Sequence, residues 1–408
     1  MSIVVPVRDN VELTGLCAEA LFLHTDAPVE LVLVDNGSGP EVEELARSLA
    51  RRHAVRHLRN ERNEGFGFAS NQGMAAATGD RVVLMNNDVI VTPGWYERLS
   101  EALERSDDIG MVGPRSNRVS GPQLVPGAAY RDRASLDQFA TRLAREAAGE
   151  AVDLARLVAL CVLLRREVMT QVGGFDPCFW LGNFEDDDLS MRILRKGWRL
   201  VMANDAFVHH EGSATFRRER FDWDALMEEN WRWFRAKHGY DGPMTAPYPA
   251  RELATRVPFD ARRDFVPLEH GRVFRPDAPP MHLPVSEGPR TLLFAEPRGD
   301  SWARALLTWL VEHRGAPERT LVLRVEPHLP EVVDALRRRT ERLFAAVGGT
   351  DLPDVVLECT PLAPAERGGL YTAVSEVLLS GSPRDPLHAR EAASCGVPVS
   401  EAAPVAVP

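Results

Sequence analysis

Short apolar, β-branched runs that stop at acids or turn residues, each followed by a stretch of helical spacing, constrain this chain more than any other feature. Ile3 to Val7, Leu31 to Val34, Val55 to Leu58 and Arg81 to Met85 read as strands. Val11 to His24, Glu41 to His53, Phe68 to Ala77 and Trp95 to Arg105 read as the helices between them. The alternation predicts a parallel sheet with both faces covered, an α/β architecture. Ligands of such sheets sit at the carboxyl ends of strands, and Asp35 and Asp88 both fall at such ends.

The pattern becomes irregular from about 116 to 150. Leu157 to Leu164 is then a solid apolar run, and Trp223 to Lys237 reads as a helix. Its aromatic stripe, with Phe221, Trp223, Trp231, Trp233 and Phe234, is expected to pack on the sheet. From Asp241 to Pro289 prolines recur and periodicity is lost, which predicts an extended linker draped over the first domain. At Arg290 the alternation returns, with strands at Thr291 to Phe294, Thr320 to Val325 and Val355 to Leu357, and a strand-like run from Val374 to Leu379. The expected organisation is a first domain over 1–240, a linker over 241–289, a smaller α/β domain over 290–400 and a disordered tail over 401–408.

Composition narrows the function classes. A net charge of -11 opposes nucleic-acid binding, which needs a basic surface. The five cysteines are scattered, with no zinc-ligand spacing, as in a reducing compartment. No basic-then-apolar leader opens the chain, and no apolar run reaches the ~18 residues of a membrane span. The expectation is a cytoplasmic protein, at most peripheral to the inner face of a membrane.

Three clusters carry chemistry. Glu185, Asp186, Asp187 and Asp188 stand in a row before an amphipathic run. Clustered acids repel, so a fold keeps them where a helix N-terminus, a cation or a protonation task favours them. Asn86-Asn87-Asp88 closes an apolar run, and His209-His210 precedes Glu211-Gly212-Ser213. Asp88 with one of the two histidines could hold a divalent cation against a departing diphosphate. Asp186 is the candidate general base for an acceptor hydroxyl, and Asp35 could accept hydrogen bonds from a base or ribose. The loop from Asn63 to Gly73 is punctuated by glycine but makes neither Gly-x-Gly-x-x-Gly nor Gly-Lys-Ser/Thr. It reads equally as a ligand loop or an ordinary turn.

Taken in order, these elements resemble a family 2 glycosyltransferase of the GT-A fold over residues 1 to about 240. The matching stretches are Ile3 to Asn10, Val34 to Ser38, Asn63 to Gly73, Leu84 to Asp88 with Pro93-Gly94-Trp95, Gly173 to Asp176, Glu185 to Leu189 with Arg192, and His209 to Ser213. The Gly182 to Leu189 form resembles bacterial members that build surface polysaccharides or glycosylate proteins. The resemblance implies inverting transfer from a nucleotide-activated sugar (UDP-, dTDP- or GDP-linked) to a glycan or protein hydroxyl, of hexosyl or deoxyhexosyl type. It implies a nucleotide-sugar site formed by Pro6, Val7, Asp35, Asn63, Gly67, Asn71, Asn87 and Asp88. Asp186 would be the catalytic base. Asp88 and His210 or His209 would bind Mn2+ or Mg2+, and Trp180, Glu185 and Asp187 would lie on the acceptor side. Asn86 replaces the first acid of the family's Asp-x-Asp pattern. That departure motivates the alternative, a non-catalytic nucleotide-sugar or glycan-binding scaffold. A sugar-nucleotide pyrophosphorylase would need a Gly-rich loop after the first strand, and Val7-Arg8-Asp9-Asn10 lacks it.

The second domain, Rossmann-like, resembles part of a GT-B donor domain on the strength of Arg390 to Val399. A second acid expected eight residues before Glu391 is Pro383. A role in packing, homodimerisation or acceptor binding is expected of it.

Overall fold

In the computed structural model of this chain, residues 1–212, 223–244, 249–268, 279–285, 288–297, 299–349, 351–362, 366–382 and 384–402 are described. Ser213, Phe221, Pro383 and the tail from 403 lie outside them. The chain divides into two units, Met1–Asn230 with Asp241–Gly271, and Trp231–Tyr240 with Arg272–Pro408.

The first unit begins as the apolar runs dictate. β1 (Ser2–Val7), β2 (Glu30–Asn36), β3 (Val55–Asn60) and β4 (Arg81–Met85) alternate with α1 (Val11–Leu23), α2 (Pro40–Ala50) and α3 (Phe66–Ala76). These four strands are parallel, with Pro6 opposite Val34 and Val7 opposite Asp35. The chain continues through β5 (Val89–Val91), α4 (Trp95–Glu104), β6 (Ile109–Ser116), α5 (Arg133–Glu146), β7 (Ala151–Leu154) and β8 (Cys161–Arg165). It reaches the acid cluster through α6 (Arg166–Val172) and α7 (Glu185–Arg195), and β9 (Arg199–His210) completes the nine-stranded sheet. The order is β3-β2-β1-β4-β8-β6-β9-β5, with β7 on β9.

The parallel pairing expected from the first alternations holds for β1 to β4, and the rest of the sheet is mixed. β8 runs antiparallel to both β4 and β6, and β5 and β7 run antiparallel to β9. The residue pattern of a doubly covered strand is the same in either direction, so the apolar run from Leu157 to Leu164 could not reveal its sense. The irregular region also contains α5. Asp132 caps it by accepting from Ser135 N, and the Ser135 hydroxyl closes the box. Its buried face is made of Leu136, Ala140, Leu143 and Ala144, and two alanines give a faint apolar signal.

The segment expected as an extended linker is in part a folded strap. Ala250–Arg256 and Ala261–Asp264 are helical, and the first packs on α7. Val266 bridges Gly173, with Gly174 N donating to Val266 O at 2.9 Å and Val266 N to Val172 O at 3.2 Å. Gly173 sits at φ +79, where a Cβ would overlap the Val266 carbonyl. Arg192 is fully buried and donates to Asp188 Oδ2 at 2.8 Å and to the carbonyls of Val172 and Gly174. Arg195 pairs with Asp264 at 3.0 Å, so the rear of α7 is held by the strap.

The second unit carries β10 (Arg290–Ala295), β11 (Thr320–Val325), β12 (Asp354–Glu358), β13 (Glu376–Leu379) and β14 (Val399–Glu401). They form a five-stranded sheet, parallel throughout, in the order β12-β11-β10-β13-β14. That is the Rossmann-like order expected of the smaller domain. Of the expected aromatic stripe, Trp231, Trp233 and Phe234 belong to this unit, while Phe221 and the side chain of Trp223 lie outside the described residues. Trp231 stacks on Phe234 at 5.6 Å and meets Tyr240 edge-on, and Arg384 lies over Trp233.

Candidate functional site at the strand ends of the first unit

Asp88 follows β4 in a turn closed by Val89 N donating to Asn86 O at 3.2 Å. β5 pairs Val89 with His210, which brings the acid to the last residue of β9. Gly212 N donates to Asp88 Oδ2 at 3.0 Å, and His210 Nε2 faces Asp88 Oδ1 at 3.2 Å. His210 Nδ1 contacts the Arg118 carbonyl at 2.9 Å, so Nδ1 carries a proton and Nε2 is turned to the acid. A neutral Nε2 lone pair and a carboxylate oxygen repel at this distance unless a proton or a cation sits between them. Burial opposes the proton, but the hydrogen bond and charge of Asp88 outweigh it, and the His210 pKa lies above its ordinary value. The same two atoms can hold a divalent cation in place of the proton. Among the described residues no cluster of three or more His, Cys, Asp or Glu forms a metal site.

His209 points the other way, as alternation along a strand requires. Its Nδ1 meets the Tyr130 hydroxyl at 2.6 Å and its Nε2 lies 3.5 Å from Glu211. Burial, opposed by Glu211, lowers its pKa. Of the two candidate histidines, the structure puts His210 against Asp88 and His209 against the aromatic group of Tyr130, Phe139 and Phe207.

The four acids in the first turn of α7 separate into four surroundings. Asp188 is buried on Arg192. Asp187 pairs with Arg156 at 2.8 Å, and Arg156 also donates to the Ser120 hydroxyl at 3.1 Å. Asp186 Oδ1 accepts from Asp187 N at 2.9 Å, which anchors it in the first turn, where the helix dipole favours negative charge. Glu185 Oε2 is buried with no hydrogen-bond partner, and burial, with the charges of Asp186 and Asp187, holds its pKa well above the usual range. Glu185, Asp186 and Asp187 line one cavity of about 470 Å3, together with Asn86, Ser120, Arg156, Leu160, Leu181 and Asn183. Its loop wall is strained: Trp180, Asn183 and Phe184 have φ of 47, 75 and 69. Asn230, fully buried, staples it by donating to the carbonyls of Phe179, Gly182 and Asn183 at 2.8, 2.7 and 3.1 Å.

The remaining expected residues take mixed positions. Pro6 and Val7 are buried at the end of β1, beside Asp35 at the end of β2. Asp35 accepts from Ser38 N at 2.8 Å and pairs with Arg59, with His57 Nε2 at 3.8 Å. Asn63 Oδ1 accepts from Asn36 and from Gly65 N, both at 3.0 Å, which ties the loop to β2. Gly67 packs close to Phe175, where a Cβ would come within 3.1 Å. Two of the expected residues have side-chain partners within the chain. Asn71 uses both ends of its amide on the Phe175 backbone, at 2.7 and 2.8 Å, so it holds the Gly-Gly-Phe turn. Asn87 is turned inward to Thr14 at 2.9 Å. Trp180, expected on the acceptor side, is mostly buried. Asn183 is read in sequence only as part of the Gly182 to Leu189 stretch, and Arg156, Ser120 and Asn230 escape the sequence reading because nothing local marks them. They meet the site only through the fold.

The model of the family described as "Glycosyltransferase like family 2" matches residues 1–236. The chain is 32% identical over 227 residues to an N-acetylglucosaminyl-diphospho-decaprenol L-rhamnosyltransferase of Mycobacterium tuberculosis, covering 48% of this chain and 72% of that protein. It is 27% identical over 260 residues to the O-antigen biosynthesis protein RfbC of Myxococcus xanthus, covering 61% of this chain and 20% of that protein. The chain thus spans only a fifth of the second relative's length. Among solved structures it is similar to a mannosyltransferase of Pyrobaculum calidifontis in complex with GDP-Man and Mn2+, with 17% identity, a TM-score of 0.41, and coverage of 62% of this chain and 68% of that one.

Proposed function

From the premise that this chain belongs to the glycosyltransferase-like family 2, we propose that it moves a sugar from a nucleotide-sugar donor to a hydroxyl of a cell-envelope glycan or glycoconjugate, with inversion. The observation that carries the reading is the cavity that holds Asp186 and Asn86 together, two residues from Asp88 in the chain. That shared cavity supports Asp186 as the base beside the strand end where the diphosphate would lie.

The chemistry follows from these side chains. Asp186, anchored through its own helix turn, takes the proton of the acceptor hydroxyl. The hydroxyl oxygen bonds to the anomeric carbon as the sugar–phosphate bond breaks, and the electron pair leaves on the nucleoside diphosphate. Asp88 and His210 would hold Mn2+ or Mg2+, whose positive charge stabilises the departing diphosphate. Asp35, with Pro6 and Val7, would line the nucleotide side. The rhamnosyltransferase relative supports a deoxyhexosyl donor, and the O-antigen relative supports a surface polysaccharide as the product's destination.

Calorimetric titration with UDP-, GDP- and dTDP-sugars, with and without Mn2+, tests the donor site. Binding of one nucleotide class, strengthened by the cation, is expected. Asp186→Asn should then lower turnover by about 10^2- to 10^4-fold while donor affinity stays unchanged. A folded protein that binds none of these donors would sink the reading. Binding without turnover in the intact protein would favour the scaffold instead, as the Asn86 departure suggests.

A further inference from the structure

We propose that Asn117 is a positioning residue for the cation site, its amide holding His210 in place against Asp88, with the Arg118 carbonyl fixing the histidine ring. This role rests on the reading in which Asp88 and His210 hold a divalent cation. β6 runs parallel to β9 only as far as Ser116, which lies opposite Val208. Beyond Ser116 the chain leaves the sheet, and β9 runs on to His210 without a backbone neighbour from β6. The Asn117 side chain takes that neighbour's place. His210 N donates to Asn117 Oδ1 at 2.8 Å, and Asn117 Nδ2 donates to His210 O at 3.2 Å. A side-chain amide carries the same donor and acceptor as a peptide group, so Asn117 continues the ladder where the strand has ended.

Arg118 completes the hold. Its carbonyl accepts from His210 Nδ1 at 2.9 Å, which directs Nε2 to Asp88. Its guanidinium donates to Glu211 O at 2.8 Å. Its aliphatic stem crosses Gly212, which sits at φ +69 and where a Cβ would stand 2.7 Å from Arg118 Cδ. Gly212 N in turn donates to Asp88 Oδ2 at 3.0 Å. The 3.2 Å between Asp88 Oδ1 and His210 Nε2 joins a turn after β4 to the end of β9, so it depends on each being held from outside. Partners that orient a ligating histidine through its other ring nitrogen and its backbone set how tightly the cation binds.

The test uses the full chain and whichever of UDP, GDP and dTDP it binds, titrated calorimetrically over a series of Mn2+ concentrations. Asn117→Ala should raise the Mn2+ concentration for half-saturation about 10- to 100-fold, while affinity for the nucleotide without Mn2+ stays within about twofold. Asn117→Asp keeps the acceptor for His210 N and loses the donor to His210 O, so it should fall between wild type and Asn117→Ala. In a His210→Ala background, Asn117→Ala should add less than about twofold, because the group it positions is gone. Half-saturation within about twofold of wild type in both Asn117 variants, with melting temperatures showing folded protein, would overturn the role. Should one variant not fold, the other decides alone. A full, additive loss in the His210→Ala background would overturn it as well, since Asn117 would then act on the fold at large. A wild-type chain whose nucleotide binding ignores Mn2+ removes the cation premise, and turnover of a nucleotide-sugar without Mn2+ then shows whether glycosyl transfer itself stands.

Discussion

Four neighbouring carboxylates end in four different situations: Glu185 buried without a partner, Asp186 on the cavity wall, Asp187 on Arg156 and Asp188 on Arg192. Helical geometry explains the divergence, since successive residues turn by about 100° and meet different neighbours. The histidine pair diverges for the analogous reason in a strand. The two substitutions therefore predict opposite outcomes. His210→Ala should weaken Mn2+-dependent donor binding about 10- to 100-fold, read as the cation concentration that half-saturates calorimetric binding. His209→Ala should leave that concentration unchanged. A shift in the His209 variant and none in the His210 variant would reverse the assignment. The sequence showed that acids and histidines meet a strand end. It could not show which histidine, because a one-residue change of register exchanges the two faces.

At the scale of elements, the site depends on a loop and a strap. Asn230→Ala removes a donor from three carbonyls that shape the loop before α7. Expected is a loss of about 1–3 kcal/mol in urea denaturation, with KM raised for the donor. An unchanged urea midpoint would show that the staple is dispensable. Gly173→Ala should cost at least about 3 kcal/mol, because its φ is +79 and the Val266 carbonyl occupies the space a methyl would need. A stability within 1 kcal/mol of wild type, by the same denaturation (~1 kcal/mol being a typical surface effect), would mean that the strap yields easily. The strands and helices of the first four alternations were legible because their apolar periodicity is strong. The strap was not, since its contacts are a β-bridge and the buried Asp264, and neither leaves a periodic trace. Asn71 shows a further limit: a buried amide that clamps a backbone looks, in sequence, like one that binds a ligand.

At the scale of the whole molecule, the second unit holds a buried ionic group at the carboxyl ends of its strands. Arg367 bridges Glu326 at 2.7 Å and Glu391 at 3.0 Å, Tyr371 meets Glu391, and Arg324 reaches Glu326 and His328. Glu391, within the stretch that carries the GT-B resemblance, is thus engaged in holding the helices Arg367–Thr372 and Asp385–Ser394. Burial, then Arg324, lowers the His328 pKa from 6.5 to about 4. Burial opposes ionisation of Glu326, but Arg367 and Arg324 outweigh it and hold its pKa far below the usual range. Between pH 6.5 and 4 the unfolded chain therefore binds more protons than the folded one at His328. Stability falls through that window as pH drops, and Glu326 adds to the loss below the ordinary carboxylate range. Hydrogen exchange at pH 7 and pH 5 should show protection falling in β11 and Arg367–Thr372 more than in β1 and β2. Equal loss in both units would refute this local acid sensitivity.

The strap has a consequence for how the protein is made. The family match ends at residue 236, yet Asp264 and Val266 supply contacts that Arg195 and Gly173 require. Residues 231–240, which belong to the second unit, leave the ribosome before the strap that completes the first. The units are thus interleaved in time: synthesis of the second begins while Arg195 still lacks its acid. A gene cut at the end of the family match would translate every candidate catalytic residue and still leave α7 without its rear support.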